Sequence, residues 1–288
     1  MLYDMPLYRP PSEAKSAIIQ VTVGCSHNKC SFCSMYKEKR FTIKSEQEIL
    51  YHINDVWANN KKAKRVFLAD GNVLTLKTKK LLFILQEIKK KFSSIERISC
   101  YAGPKDILNK TEKELELLNH SGLDMFYLGV ESGNDEVLKA TNKGVNSAEM
   151  IEAGQKSVES GFVLSTMIIS GLGGKAMFYD HAIDSAKVIS KIKPHYFSVL
   201  TLMIEEGTEL SKMVAEGRFE VLSPNQVIEE MSIIISNLDL NQTVFRANHP
   251  SNYFLLAGVL NKDKERLVGQ LEQIKDSQSY RKESWRGL

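Results

Sequence analysis

Cysteine is scarce in this chain of 288 residues: there are four, and three of them, Cys25, Cys30 and Cys33, fall within nine positions. A disulfide framework needs pairs spread through a small secreted chain, so that class is excluded. No run of about 18 apolar residues occurs, which excludes a helical membrane span and leaves no membrane partner to expect. The opening stretch MLYDMPLYRPPSEAKS lacks a charged leader followed by an apolar core, so a cytoplasmic location is expected. Net charge is small as well. Thirty-eight Lys and Arg against 35 Asp and Glu leave +3, too little to coat a face for nucleic acid, and no nucleic-acid partner is expected. Internal repeats are absent, and 43% hydrophobic with 25% charged residues describes a folded chain rather than a disordered one.

The local basic clusters KKAKR (61–65) and KKK (89–91) read as solvated helix ends, where cations favour the negative end of the dipole. The terminal YRKESWRGL reads as a frayed tail.

Six short apolar runs rich in β-branched and aromatic residues are separated by helix-length segments: 17–23, 65–70, 97–102, 125–132, 162–171 and 195–203. Near-continuous apolarity, as in STMIIS, predicts parallel strands covered on both faces. Ser45 with Glu48, Thr111 with Glu114 and Asn146 with Glu149 predict helix starts, and Gly122 and Gly161 predict left-handed helix ends. Helices are expected over 75–91 and 180–191, and another with Ser223 as cap and Pro224 at its first position. The β-α alternation stops after the sixth run; 243–258 reads as irregular or partly extended, and 262–274 as a closing helix. The fold class is therefore α/β, a partial (β/α)6 TIM-like barrel with a short C-terminal α-rich extension. Residues 1–16 form an N-terminal segment packing on the barrel, 17–205 the core, and 206–288 an extension and candidate substrate cap.

The cysteines lie in VGCSHNKCSFC (23–33), directly after the first strand, where barrels of β/α units gather their chemistry. Three thiolates can hold three irons of a [4Fe–4S] cluster and leave the fourth iron open. A zinc site is the competing reading, because His27 would complete a set of four acceptable ligands in C-x-H-x2-C-x2-C. A fourth protein ligand, however, would block the open position.

The loop resembles that of the radical S-adenosylmethionine (SAM) superfamily, and the resemblance extends over residues 17–203. The usual spacing of three and then two residues is here four and then two. The resemblance implies a cluster held by Cys25, Cys30 and Cys33, with Phe32 at the aromatic position before the last cysteine. It implies that SAM chelates the open iron and is reductively cleaved to a 5′-deoxyadenosyl radical. LADGN (68–72) would meet the methionine end through Asp70, Gly71 and Asn72, without the family's double glycine. YLGVESGNDEVLKATNKG (127–144) resembles the version in tRNA-modifying and coproporphyrinogen-oxidising members, with Glu131 and Ser132 facing SAM beside Gly133. MIISGLGG (167–174) would pack on the adenine through Ser170 and Gly171. An ordinary β-turn remains the competing reading of LADGN.

Candidate substrate residues follow. Tyr36, Lys37 and Arg40 come directly after the cluster loop, and Cys100 or Tyr101 could face the cavity as a hydrogen-atom donor, although a buried cysteine more often packs. FRANHPSN (245–252) offers Arg246, Asn248, His249, Ser251 and Asn252 either as a substrate lid or as a turn built by side-chain to backbone bonds. Segment 8–14 would seal the barrel bottom or its open side. With only Cys100 left over, a second cluster is excluded, and no D-x-H-x-x-G cobalamin signature occurs. The expected enzyme abstracts hydrogen from a small molecule, with a tetrapyrrole-related compound as one candidate, and takes electrons from a donor such as flavodoxin or ferredoxin. Modification of RNA or protein is the alternative among enzymes, and a zinc or iron–sulfur sensing module the alternative outside them.

Overall fold

The computed structural model describes residues 3–287; Met1 and Leu2 of the N-terminal segment and Leu288 of the tail lie outside the described residues. Each expected apolar run forms a strand. In chain order the strands are β1 (Ala17–Gln20), β2 (Thr22–Val23), β3 (Thr42–Ile43), β4 (Arg65–Ala69), β5 (Arg97–Tyr101), β6 (Met125–Glu131), β7 (Val163–Ser170), β8 (Tyr196–Thr201), β9 (Thr243–Ala247) and β10 (Leu256–Leu260). The helices are α1 (Glu46–Asn59), α2 (Thr78–Lys91), α3 (Pro104–Leu108), α4 (Glu112–His120), α5 (Asp135–Ala140), α6 (Ser147–Glu159), α7 (Gly174–Ile192), α8 (Glu209–Ala215), α9 (Pro224–Asn237) and α10 (Lys264–Ser277). The main sheet has eight strands in the order β1-β4-β5-β6-β7-β8-β9-β10, and β2 pairs with β3 separately. Every registered pair from β1 to β9 in that sheet is parallel, and β10 joins β9 antiparallel. The class is α/β as expected.

Local signals account for most boundaries. Reciprocal bonds join Ser45 to Glu48 and Thr111 to Glu114, two capping boxes, and Asn146 exchanges the same pair of bonds with Glu149. Gly122 and Gly161 sit at φ +96° and +90°, the left-handed helix ends that glycine permits. Three boundaries differ from expectation. The first run stops at Gln20 because Thr22 and Val23 turn to pair antiparallel with Ile43 and Thr42. Residues Val73–Thr75 form a separate 3-10 turn, so α2 starts at Thr78, and α7 starts at Gly174, with a kink at Met177. Segment 243–258 holds two strands, so the extension is not purely helical.

The chain divides into two compact units. The first comprises Met1–Asn28, Met35–Leu128 and Lys156–Leu164, the second Lys29–Ser34, Gly129–Gln155 and Ser165–Leu288. In the first, Phe67, Ala69, Met125 and Tyr127 form a core on one sheet face, with Leu7, Ile18, Tyr101 and Val163 packed on it. The N-terminal segment enters this core through a charge. Fully buried Glu13 accepts hydrogen bonds from Arg97 Nη2 (2.7 Å), Ser99 Oγ (3.0 Å) and Tyr127 Oη (2.6 Å), as well as from Ser16 Oγ. Four donors make burial of that carboxylate tolerable. The basic cluster 89–91 ends α2 as expected, whereas 61–65 runs from the turn after α1 into the start of β4; the ammonium groups of Lys61 and Lys91 lie 5.3 and 5.5 Å from the Trp57 ring, and Lys64 pairs with Glu96.

In the second unit Val137, Leu172, Leu202 and Leu210 form an apolar core, joined by Phe32, Ile169, Met177, Ile204 and Phe219. The tail is docked rather than frayed. Arg286 donates to Ser251 O (2.6 Å), Leu202 O (2.7 Å) and Tyr253 Oη (2.7 Å), and its guanidinium lies 4.1 Å from the centre of the Tyr253 ring. One planar fork with five donors satisfies carbonyls from two chain segments at once.

Candidate functional site

The ends of the parallel strands carry the candidate residues. In the first unit, the turn after β4 is built around Asp70, which is fully buried. Its Oδ2 accepts from Gly24 N (3.2 Å) and Gln20 Nε2 (3.4 Å) and pairs with Lys39 Nζ at 3.3 Å, while its own N–H donates to Thr22 Oγ1 (3.1 Å). Oδ1 is buried with no hydrogen-bond partner, and so is the hydroxyl of Tyr36. Burial, reinforced by the Asp70 charge, drives the Tyr36 phenol far above its usual range, so it stays a neutral donor. Gly71 is required where it stands, since a Cβ there would lie 2.9 Å from the Tyr36 ring and 3.0 Å from Cys25 Cβ. Asn72 bonds within the protein. Its amide donates to Ser26 Oγ (2.8 Å) and to Asp106 and accepts from Gly103 N (3.2 Å), tying the start of the cysteine loop to the turn before α3.

Register separates Cys100 from Tyr101. Tyr101 shares the face of Phe67 and Tyr127, with ring centroids 5.2 and 6.2 Å away, whereas Cys100 lies on the opposite face of β5, fully buried, its thiol pushed up by that burial. Cys100 is a packing residue. Lys37 and Arg40 are exposed, and Lys37 Nζ donates to Asn28 O (3.2 Å).

The second unit holds the other half of the expected residues. Phe32 packs into the apolar cluster named above, and Ser31 fixes the loop by donating its N–H to Thr141 O (3.0 Å) and accepting from Leu210 N (2.9 Å). At the end of β6, Glu131 adopts φ +65°, a conformation a non-glycine residue holds only when its surroundings enforce it. Its Oε1 pairs with Lys143 Nζ at 3.0 Å, and a Cβ at Gly129 would sit 2.0 Å from that same oxygen. Oε2 is buried with no partner. Ser132 is occupied internally: its Oγ lies 2.8 Å from His181 Nδ1 and accepts from Asn134 N (3.0 Å). Because His181 Nε2 faces the carbonyl of Ile169 (3.1 Å), that nitrogen carries the proton and Nδ1 accepts from Ser132. Burial holds His181 at about 4, neutral under all ordinary conditions. Gly133 lets α7 approach, since a Cβ there would lie 2.3 Å from Asp184 O.

Ser170 and Gly171 are buried, and both donate to Glu230 on α9. In 245–252 the turn-building alternative describes the geometry. His249 Nδ1 accepts from Ser251 N (3.2 Å), and buried Asn252 accepts from Thr201 Oγ1 (2.9 Å) and donates to Val199 O (2.8 Å). Arg246 and Asn248 are exposed, the former donating to Phe245 O. Gln20, Lys39, Lys143, His181 and Glu230 were absent from the sequence reading. Each is defined by a partner distant in sequence, except Lys143, which lies inside the motif that drew attention to Glu131.

Among the described residues, no group of three or more His, Cys, Asp or Glu side chains is already gathered to hold a metal ion. The cysteines are half-buried in turns and bends, and such loops take their final shape around the metal they bind.

A family model for the Radical SAM superfamily matches residues 19–184. The chain belongs to the radical SAM superfamily. Among curated proteins, the heme chaperone HemW of Bacillus subtilis is 24% identical over 240 residues, 78% of this chain and 60% of that protein. The tRNA uridine(34) acetyltransferase of Methanocaldococcus infernus is 27% identical over 123 residues, 42% of this chain and 23% of that one. The chain thus spans less than two thirds of the length of these relatives. Among solved structures, methylornithine synthase (PylB) aligns with a TM-score of 0.55 at 16% identity, covering 90% of this chain and 81% of that one. Coproporphyrinogen III oxidase (HemN) of Escherichia coli aligns with 0.54 at 15%, covering 77% and 51%. These likenesses show the fold, the partial barrel of radical SAM enzymes. Enzymes of this superfamily use a [4Fe–4S] cluster and SAM. No helix of the described residues is long and apolar enough to cross a membrane.

The residues present fit those groups. Three thiols in one loop, with a fourth cysteine packed on the far face of β5, match a cluster needing three protein ligands. Two buried carboxylate oxygens without partners, Asp70 Oδ1 and Glu131 Oε2, are acceptors of the kind that an amino group or ribose hydroxyls would satisfy.

Proposed function

We propose that the chain is a single-cluster radical SAM enzyme acting on a small molecule, with Cys25, Cys30 and Cys33 as the three cluster ligands. When bound, the cluster and SAM supply a reductive cleavage that yields a 5′-deoxyadenosyl radical. The observation that carries the reading is that the family match, 19–184, contains the three-cysteine loop together with both strand ends bearing an unpartnered buried carboxylate oxygen.

In this reading Asp70 Oδ1 accepts from the amino group of SAM, with Lys39 and Gln20 holding Oδ2 so that the other oxygen is presented. Glu131 Oε2 accepts from the ribose hydroxyls, and Lys143 holds Oε1. Gly71 leaves room beside Cys25. Asn72 and Ser132 act one step back, fixing the loops on which ligands sit. Phe32 anchors the second part of the cysteine loop in the apolar core. Ser170 and Gly171 present the turn that meets the adenine. Tyr36, neutral and buried beside Asp70, donates to cofactor or substrate; Lys37, Arg246, Asn248 and His249 are the more peripheral substrate candidates, and His27 is left out of the ligand set. The core is 17–205, and 206–288 caps the substrate. Electrons come from a flavodoxin or ferredoxin.

A tetrapyrrole-related substrate is supported by the naming of the HemW relative as a heme chaperone, and by the HemN fold match. The test is anaerobic reconstitution, expected to give about four irons per chain, with 5′-deoxyadenosine formed on reduction in the presence of SAM. Cys30→Ala should lose the cluster and the product together. One tightly bound zinc and a colourless protein would instead support a closed metal module, and strong salt-dependent RNA binding would redirect the substrate to nucleic acid.

A further inference from the structure

We propose that Glu230, on α9 and outside the family-matched stretch, is a positioning residue that sets the Ser170–Gly171 turn for cofactor binding. The proposal rests on the reading that this turn meets the adenosyl part of SAM.

Glu230 has no solvent exposure, an unusual place for a carboxylate. Its Oε2 accepts from Ser170 Oγ at 2.6 Å and from the backbone N–H of Gly171 at 2.7 Å. Its Oε1 has no hydrogen-bond partner. Every other buried residue of α9 is apolar: Val227, Ile228, Met231, Ile234 and Ile235. A leucine or glutamine would fill this helix face at lower desolvation penalty, so core packing alone does not explain the charge.

What the carboxylate does explain is the shape of the turn. Gly171 lies at φ +88°, and its N–H points to Glu230 while its carbonyl accepts from Gly174 N (3.0 Å). The carbonyl of Ser170 is taken by Leu202 N (2.9 Å), and Lys175 N donates to Glu220 O (2.9 Å). A Cβ at Gly174 would approach Glu220 O at 3.0 Å and the Phe219 ring at 3.1 Å. The turn is thus gripped from behind by residues 219–230, and Glu230 alone among them fixes two of its donors with a single oxygen. Burial raises the Glu230 carboxyl to about 7, so the ionised form is held at a cost to stability, a pattern found where position matters more than stability.

The test compares wild type, Glu230→Gln and Ser170→Ala as anaerobically reconstituted proteins. SAM binding is measured by equilibrium dialysis, and amide exchange across 168–176 is measured without SAM. Glu230→Gln should weaken SAM binding about tenfold and speed exchange of the turn by a similar factor, because the oxygen that accepts from Ser170 and Gly171 loses its charge. Ser170→Ala should move both in the same direction by less. Iron content should stay unchanged, and stability at pH 8 should not fall in Glu230→Gln, which separates positioning from a general loss of folding. Unchanged SAM affinity and unchanged exchange in both variants overturn the proposal. If wild type itself binds no SAM, the functional reading fails instead, while faster exchange in the variants would still show that Glu230 orders the turn.

Discussion

Replacing Lys143 by methionine isolates the strand end on which the cofactor reading leans most. Lys143 Nζ stands 3.0 Å from Glu131 Oε1, and each side chain is 11% exposed. The other oxygen of the carboxylate is buried without a partner, and the backbone beneath it is held at φ +65°. Lys143→Met keeps most of the aliphatic stem but leaves the Glu131 charge without its ammonium in a poorly solvated place. Breaking one side of a buried pair removes about 3–5 kcal/mol, and the residual exposure puts this case near 3 kcal/mol. Glu131→Gln with Lys143→Met removes both charges and should recover much of that loss, giving a coupling of about 2 kcal/mol in a double-mutant cycle. The assay is urea unfolding of the apoprotein at pH 8, followed by circular dichroism and compared at constant slope. If Lys143→Met lies within about 0.5 kcal/mol of wild type, or if its loss is the same with and without Glu131, the pair does not position the carboxylate.

Titration offers a second test. His181 falls from 6.5 to about 4 on folding, so the unfolded state binds its proton first, and stability rises by roughly 3 kcal/mol between pH 4 and 6.5. Glu230 rises from 4.5 to about 7, so the folded state holds its proton longer, and stability falls by a similar amount as pH climbs through that interval. The two oppose each other over most of their range; Glu230→Gln should therefore expose a steep rise in stability from pH 4 to 6.5, with a profile identical to wild type contradicting the Glu230 assignment and the absence of any rise contradicting that of His181. The edge strand β10 has its outward groups covered: Val259 N donates to Asp263 Oδ2 (2.8 Å), and Arg266 Nη2 donates to Ala257 O (3.0 Å). Asp263→Ala with Arg266→Ala should open that edge and give concentration-dependent association by light scattering, with a strictly monodisperse double variant counting against it. Arg286→Ala should release the tail, seen as rapid amide exchange over 280–287 while β4 and β5 keep their protection; uniform exchange would show that the tail is not a local clamp.

The six parallel strands were legible because a strand covered on both faces must be apolar nearly throughout, and helix starts were legible because Ser45, Thr111 and Asn146 carry reciprocal capping partners three residues on. The last two strands were hidden. β9 alternates buried Thr243, Phe245 and Ala247 with less buried Val244 and exposed Arg246 instead of running apolar throughout, and β10 carries Gly258 and buries only its end residues Leu256 and Leu260. The docked tail depends on one arginine whose acceptors lie in distant segments, and nothing local marks it.

At the candidate site, strand-end motifs drew attention to turns but did not show what each side chain touches. Asn72 and Ser132 were named from the family resemblance and Asn252 from a polar-rich segment, yet each makes hydrogen bonds within the protein. Glu131 was named from the family resemblance, and the structure adds its partner Lys143, which offsets the cost of burying the acid. Glu13 and Glu230 are equally buried acids, and neither sits in a recognisable motif; each is intelligible only through donors 59 to 114 residues away, apart from nearby Ser16. Polarity in sequence marks where a charge exists, and only the tertiary partner shows whether the charge is held for a ligand or for the fold.

The central claim is that the three-cysteine loop leaves one iron open for SAM. Electron paramagnetic resonance of the reduced, reconstituted protein before and after SAM addition tests this most directly. The account predicts a [4Fe–4S] signal that changes shape on addition of SAM and is absent in Cys30→Ala. A signal that SAM leaves untouched, or a protein whose metal is fully enclosed by side chains, would contradict it.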